Sequence, residues 1–85
     1  MGAEREALKA WVVEALARNG GEAHLLVVAR DIWAHHEQEL RGAGDLFFSW
    51  QYDMRWACTA LREKGIVLPA NKSGIWTLAD RGSAP

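Results

Sequence analysis

An α+β fold is predicted by three consecutive amphipathic helical segments, followed by branched and aromatic runs on either side of a glycine-bearing turn near the C-terminus. The chain has 85 residues, of which 49% are hydrophobic and 25% charged, so it reads as one folded domain with one core. Residues 1–80 are expected to form that domain and 81–85 a frayed tail. Five tryptophans are many for this length, and their burial compensates for the short chain.

The first helix is expected over Glu4 to Arg18. Leu8, Trp11, Val12, Ala15 and Leu16 follow the spacing that gathers side chains on one helical face, and Asn19, Gly20 and Gly21 stop it. The short run Glu22 to Leu25, after a glycine pair, reads as a stub of strand. A second helix is expected from Leu26 to Leu40, with Val28, Ala29, Ile32, Trp33, His36 and Leu40 in its apolar stripe. Gly42 and Gly44 then break the chain, and Leu46, Phe47 and Phe48 carry apolar surface through a packed connection.

Ser49 is the candidate N-cap of a third helix, since its hydroxyl can accept from a first-turn amide, and Asp53 lies near enough to favour the positive helix end. Trp50, Met54, Ala57, Cys58 and Leu61 form the buried stripe. Gln51, Arg55, Thr59 and Arg62 fall on the roughly opposite face, with Tyr52 beside them, and Gly65 ends the helix. Ile66 to Leu68, a turn over 69–74 and Ile75 to Leu78 then read as a β-hairpin. Alternation puts Trp76 and Leu78 on one side of it. Three helices and a C-terminal hairpin, with a possible strand between the first two helices, are the element order of a winged helix-turn-helix. The third helix would be the reading helix and the hairpin the wing.

One part of the chain is also similar to a known family. Trp50, the Trp56–Ala57 pair, Leu61, Gly65–Ile66 and Gly74–Ile75–Trp76 stand where that family has an aromatic opening helix 3, a Trp-Ala pair, a leucine, a glycine stop and a Gly-hydrophobic-aromatic strand. On these positions residues 49–82 resemble the N-terminal winged-helix domain of Mrr-type modification-dependent restriction endonucleases. Helices 1 and 2 match only in pattern. Tyr52 occupies the place where the family often carries an arginine, and no nuclease domain follows, so the resemblance implies a DNA-reading module and no restriction activity.

The chemistry visible in the chain excludes more than it offers. One cysteine allows neither an internal disulfide nor a cysteine-based zinc site, which suits a reducing compartment such as the cytoplasm. The longest apolar run is too short to span a membrane, and Glu4 and Glu6 argue against a secretory leader. The stretch His35-His36-Glu37-Gln38-Glu39-Leu40 lacks the second histidine of a zinc-protease helix, and adjacent histidines on a helix point about 100° apart. His36 is expected in the core or at its boundary, with His24 and His35 exposed. Cys58 falls on a buried face and is expected to be inert. Phosphate-binding loops, nucleophile elbows and Glu-x-Lys nuclease signatures are lacking, so neither an enzyme nor any metal or cofactor is expected.

Binding is the remaining class. Ten basic and eleven acidic side chains leave a formal charge of −1, which is not the profile of a strongly phosphate-driven binder. Residues 1–44 carry five basic and seven acidic groups, whereas residues 45–85 carry five and four, which tilts the positive side toward the C-terminal half. Gln51, Tyr52, Arg55, Thr59 and Arg62 on helix 3 are the candidates for base and phosphate contacts, with Lys72 at the wing tip on an adjacent phosphate. Double-stranded DNA is the expected partner. The alternative is a winged helix that contacts a protein partner or a second copy of itself.

Overall fold

The computed structural model describes residues 4–69 and 73–79. Its elements run α1 (Ala7–Arg18), β1 (Glu22–His24), α2 (Leu25–Arg41), α3 (Leu46–Glu63) and β2 (Ile75–Thr77). The fold is α+β, with three helices and one antiparallel two-stranded sheet. Lys72, most of the turn around it and the 81–85 tail lie outside the described residues.

The helices pack through the stripes read in the sequence. Leu8, Val12, Ala15 and Leu16 of α1, Val28, Ile32 and Leu40 of α2, and Met54, Ala57, Cys58 and Leu61 of α3 are buried together, with Trp11 and Trp50 nearly so. The backbone accounts for two of the helix ends. Gly21 N–H reaches the Leu16 carbonyl at 2.7 Å, and Ile66 N–H reaches the Leu61 carbonyl at 2.9 Å. Both closures wrap the last turn around a residue of positive φ, which Gly20 (81°) and Gly65 (77°) adopt without a Cβ penalty. Between α1 and α2 the Arg18 guanidinium donates to both carboxylate oxygens of Asp31, tying the end of one helix to the flank of the next.

The third helix starts earlier than its sequence suggests. Ser49 is not its N-cap: the helix begins at Leu46, and the Ser49 hydroxyl donates to Asp53 Oδ2 at 2.8 Å from inside the second turn. Burial of Leu46 in the core draws the connection into helix, and Gly44, at φ 64°, turns the chain to allow it. Helix α1 is shorter than expected, since Glu4 to Glu6 form a turn that leads into Ala7. Helix α2 departs from helical backbone at His36 (φ −132°, ψ 23°).

The sheet adds β1 to the expected hairpin, whose first arm, 66–68, forms no regular strand. Strand β2 pairs with β1, in the register Glu22 to Thr77, Ala23 to Trp76 and His24 to Ile75. The 66–68 arm joins the end of β2 through the antiparallel bridge Val67 to Leu78, flanked by Leu68 N–H donating to the Thr77 carbonyl at 2.8 Å and Ala79 N–H donating to the Ile66 carbonyl at 2.9 Å. In space the order is therefore β1, β2, then the 66–68 arm. Trp76 is buried as expected, while Leu78 is only partly buried, at the edge where pairing gives way to the single bridge. Among the described residues no helix is long and apolar enough to cross a membrane.

Candidate nucleic-acid interface

The outward face of α3 is set by the inward one. With 3.6 residues per turn, burial of Trp50, Met54, Ala57 and Leu61 forces Gln51, Tyr52, Arg55, Thr59 and Arg62 to the other side. Gln51, Tyr52, Arg55 and Thr59 are exposed, whereas Arg62 is half-buried. Five of the six residues anticipated from the sequence thus share one face. Phe48 joins them: it lies in the first turn of α3, one turn before Tyr52, and is 85% exposed.

Two of these side chains have structural duties. Arg62 Nε donates to the Leu68 carbonyl at 3.0 Å, which holds the 66–68 arm against the end of α3. The Thr59 hydroxyl donates to the Arg55 carbonyl at 3.1 Å, leaving it an acceptor toward solvent.

Charge is distributed unevenly. Arg18 is engaged by Asp31, Arg41 Nε by Glu37 at 2.7 Å and Lys9 by Glu6 at 3.0 Å, while the Arg5 guanidinium lies 3.6 Å from the Trp56 ring centroid. The Arg30 and Arg55 guanidiniums and the Lys64 ammonium make no hydrogen bond or ion pair with other described residues. Arg30 lines a cleft of about 600 Å³ between α2 and α3, together with Leu26, Ala29, Trp33, Phe47, Trp50 and Gln51. Arg55 lines a second cleft of about 260 Å³, which shares Leu26, Ala29 and Gln51 with the first. Two uncommitted guanidiniums thereby flank one continuous, partly apolar surface.

The titratable side chains elsewhere serve the fold. His24 is half-buried rather than freely exposed, and its Nδ1 accepts from Leu26 N–H at 3.1 Å, capping α2. His36 lies 3.0 Å from Glu39 Oε1 and 3.3 Å from Glu14 Oε1, and its ring stacks on Trp11. His35 is exposed, as anticipated. Among the described residues no group of three or more His, Cys, Asp or Glu side chains is placed to hold a metal ion. Cys58 is buried, and burial pushes its thiol above the ordinary cysteine value, opposed by the charge of Arg62.

Sequence reasoning missed Phe48 and Arg30. Starting the helix at Ser49 consigned Phe48 to a packed connection, yet its offsets of three and four from Gln51 and Tyr52 place it on their face. Arg30 lies off the α2 stripe, and only the packing of α2 on α3 brings it beside Gln51. No protein-family model, curated protein or solved structure matches the chain.

Proposed function

We propose that this chain is a winged-helix domain that binds double-stranded DNA, with α3 in the major groove and the segment between the 66–68 arm and β2 on the backbone. The observation that carries the reading is the placement of Arg30 and Arg55, unpaired among the described residues, on the α2–α3 surface, while most other described cations are held by acids, a ring or a carbonyl. A guanidinium without an internal acceptor is available to phosphate or to a guanine edge. The spatial order β1, β2, 66–68 arm is compatible with a winged helix, and the likeness of residues 49–82 to Mrr-type winged-helix domains points the same way. Within this reading Gln51 and Arg55 reach base edges, Tyr52 and Thr59 extend the contact along α3, and Arg62 and Lys72 serve phosphates. Catalysis has no part in it.

The test is a gel-shift series on mixed-sequence duplex DNA across a range of salt concentrations. With so few basic groups, non-specific binding is expected in the micromolar range at physiological salt and should strengthen steeply as salt falls. No binding to any duplex at low salt would remove the reading. A second reading is favoured by the exposure of Phe48, Tyr52 (76%) and Leu26 (56%) around the clefts: a protein-binding or self-associating winged helix. A dimer in sedimentation equilibrium that is dissociated by Tyr52→Ala, without DNA binding, would select it.

A further inference from the structure

The exposed ridge of α3 carries two aromatic rings followed by one guanidinium, and the pattern is directional. Phe48, Tyr52, Arg55 and Thr59 follow one another at spacings of four, three and four, so they stand in a row along the helix. Phe48 and Tyr52 occupy the first two turns and are 85% and 76% exposed, with the Phe48 ring edge-on to Phe47 at 5.1 Å between centroids. Arg55, with no acceptor among the described residues, follows one turn later. Rings exposed to this degree, beside the cleft that Tyr52 and Arg55 line, can enter a groove, and the unpaired guanidinium next to them calls for an electron-rich groove wall. The major groove of DNA supplies both, and there the apolar feature available to a ring is the C5 methyl group of thymine.

We propose that Phe48 and Tyr52 read thymine methyl groups in the major groove beside a guanine engaged by Arg55. The assignment rests on the DNA-binding reading above and adds its base preference. Phe48 and Arg55 are separated by seven residues, a rise of about 10 Å along the helix. That distance covers roughly three base pairs, the span that one reading helix addresses when its contacts recur every three or four residues. The methyl-reading positions therefore fall within about three base pairs of the guanine. Leu26, on the neighbouring cleft wall and also exposed, extends the apolar surface toward α2.

The experiment takes duplexes enriched by the full chain from a random pool at low salt, and remakes each with deoxyuridine in place of thymidine. Uracil keeps the pairing and the hydrogen-bonding edge and lacks only the methyl group. Each buried methyl lost is expected to weaken binding by about fourfold. Phe48→Ala and Tyr52→Ala should each lose that ring's share of the discrimination and the double variant should bind thymidine and deoxyuridine duplexes equally, while Phe48→Leu, which keeps an apolar contact, retains part of the share lost in Phe48→Ala. Both side chains stand clear of the core, so unchanged denaturation midpoints should accompany these effects. Wild-type binding that differs less than twofold between the two duplexes overturns the methyl assignment and leaves DNA binding standing. No binding to any duplex, with capture of an acidic amphipathic peptide by the same face, overturns both.

Discussion

The indole of Trp11 and the imidazole of His36 stack with centroids 3.9 Å apart and planes 11° from parallel. The contact joins α1 to α2 where α2 leaves helical geometry, and Glu14 and Glu39 hold the two imidazole nitrogens. His36→Ala is expected to lose about 1–2 kcal/mol of stability, since the stack and its buried area go together. His36→Phe keeps the stack and drops both carboxylate contacts, and should remain within about 1 kcal/mol of wild type, because such part-exposed polar pairs contribute little. Urea denaturation of the two variants separates the ring from its hydrogen bonds. Equal losses would assign the stability to the carboxylates.

Trp76 is the side chain through which β2 enters the core. Its replacement by alanine should cost on the order of 3–5 kcal/mol, enough to unfold much of so small a domain. A denaturation midpoint close to wild type would show that the sheet is not part of the cooperative unit.

The Cys58 thiol lies inside α3 and is pushed upward by burial, so it holds less thiolate at neutral pH than a free cysteine. Alkylation by iodoacetamide should be slow in the native protein and reach the ordinary rate in denaturant. Rapid native labelling would mean that the 46–63 helix opens locally.

Gly74 and His24 are coupled across the sheet. Gly74 has φ 76°, its carbonyl accepts from Leu25 N–H at 3.0 Å, and a Cβ there would sit 2.9 Å from His24 Nε2. Gly74→Ala is expected to destabilise by about 1–3 kcal/mol, combining the left-handed backbone with displacement of the ring that caps α2. His24→Ala alone should cost about 1 kcal/mol. The double variant should lose less than the sum, since the clash disappears with the ring. Strict additivity in a denaturation cycle would contradict the contact.

Arg55 and Lys72 should fail differently if α3 reads DNA. Arg55→Ala is expected to cost about 1–3 kcal/mol on a preferred site and relax preference at one position. Lys72→Ala should weaken all duplexes evenly and reduce the salt slope by about one unit. Arg30→Ala, across the cleft, is expected to behave as Lys72→Ala does. Gel shifts at several salt concentrations distinguish these patterns.

The helical stripes were legible because burial repeats every three to four residues; Leu8, Trp11, Val12 and Leu16 illustrate this in α1. Glu22 to His24 was legible from the preceding glycines. The start of α3 was not: Leu46, Phe47 and Phe48 form an unbroken apolar run without period, and Ser49 imitates a cap beside it. The partner of β2 was hidden for a different reason. Adjacent segments joined by a turn suggest a hairpin, whereas pairing with β1 depends on how α2 and α3 fold back between them. Phe48 became visible only with the earlier start of α3, and Arg30 only with the packing of α2 on α3, so the candidate surface was anticipated along α3 and not across to α2.

The ladder between β1 and β2 joins residues such as Glu22 and Thr77, 55 positions apart, through a Thr77 hydroxyl contact as well as the backbone. Closing so long a loop is slow and yields its enthalpy only after the intervening helices are in place. The order of assembly expected from this topology runs from the helical layer to the sheet, with the slot that Trp76 fills closing last. Substitutions in β2 should accelerate unfolding far more than they retard folding, whereas those in the α1–α3 contact should do the reverse. By this route the chain postpones the pairing of β1 with β2 until its rapidly formed helices have already made a surface to receive it.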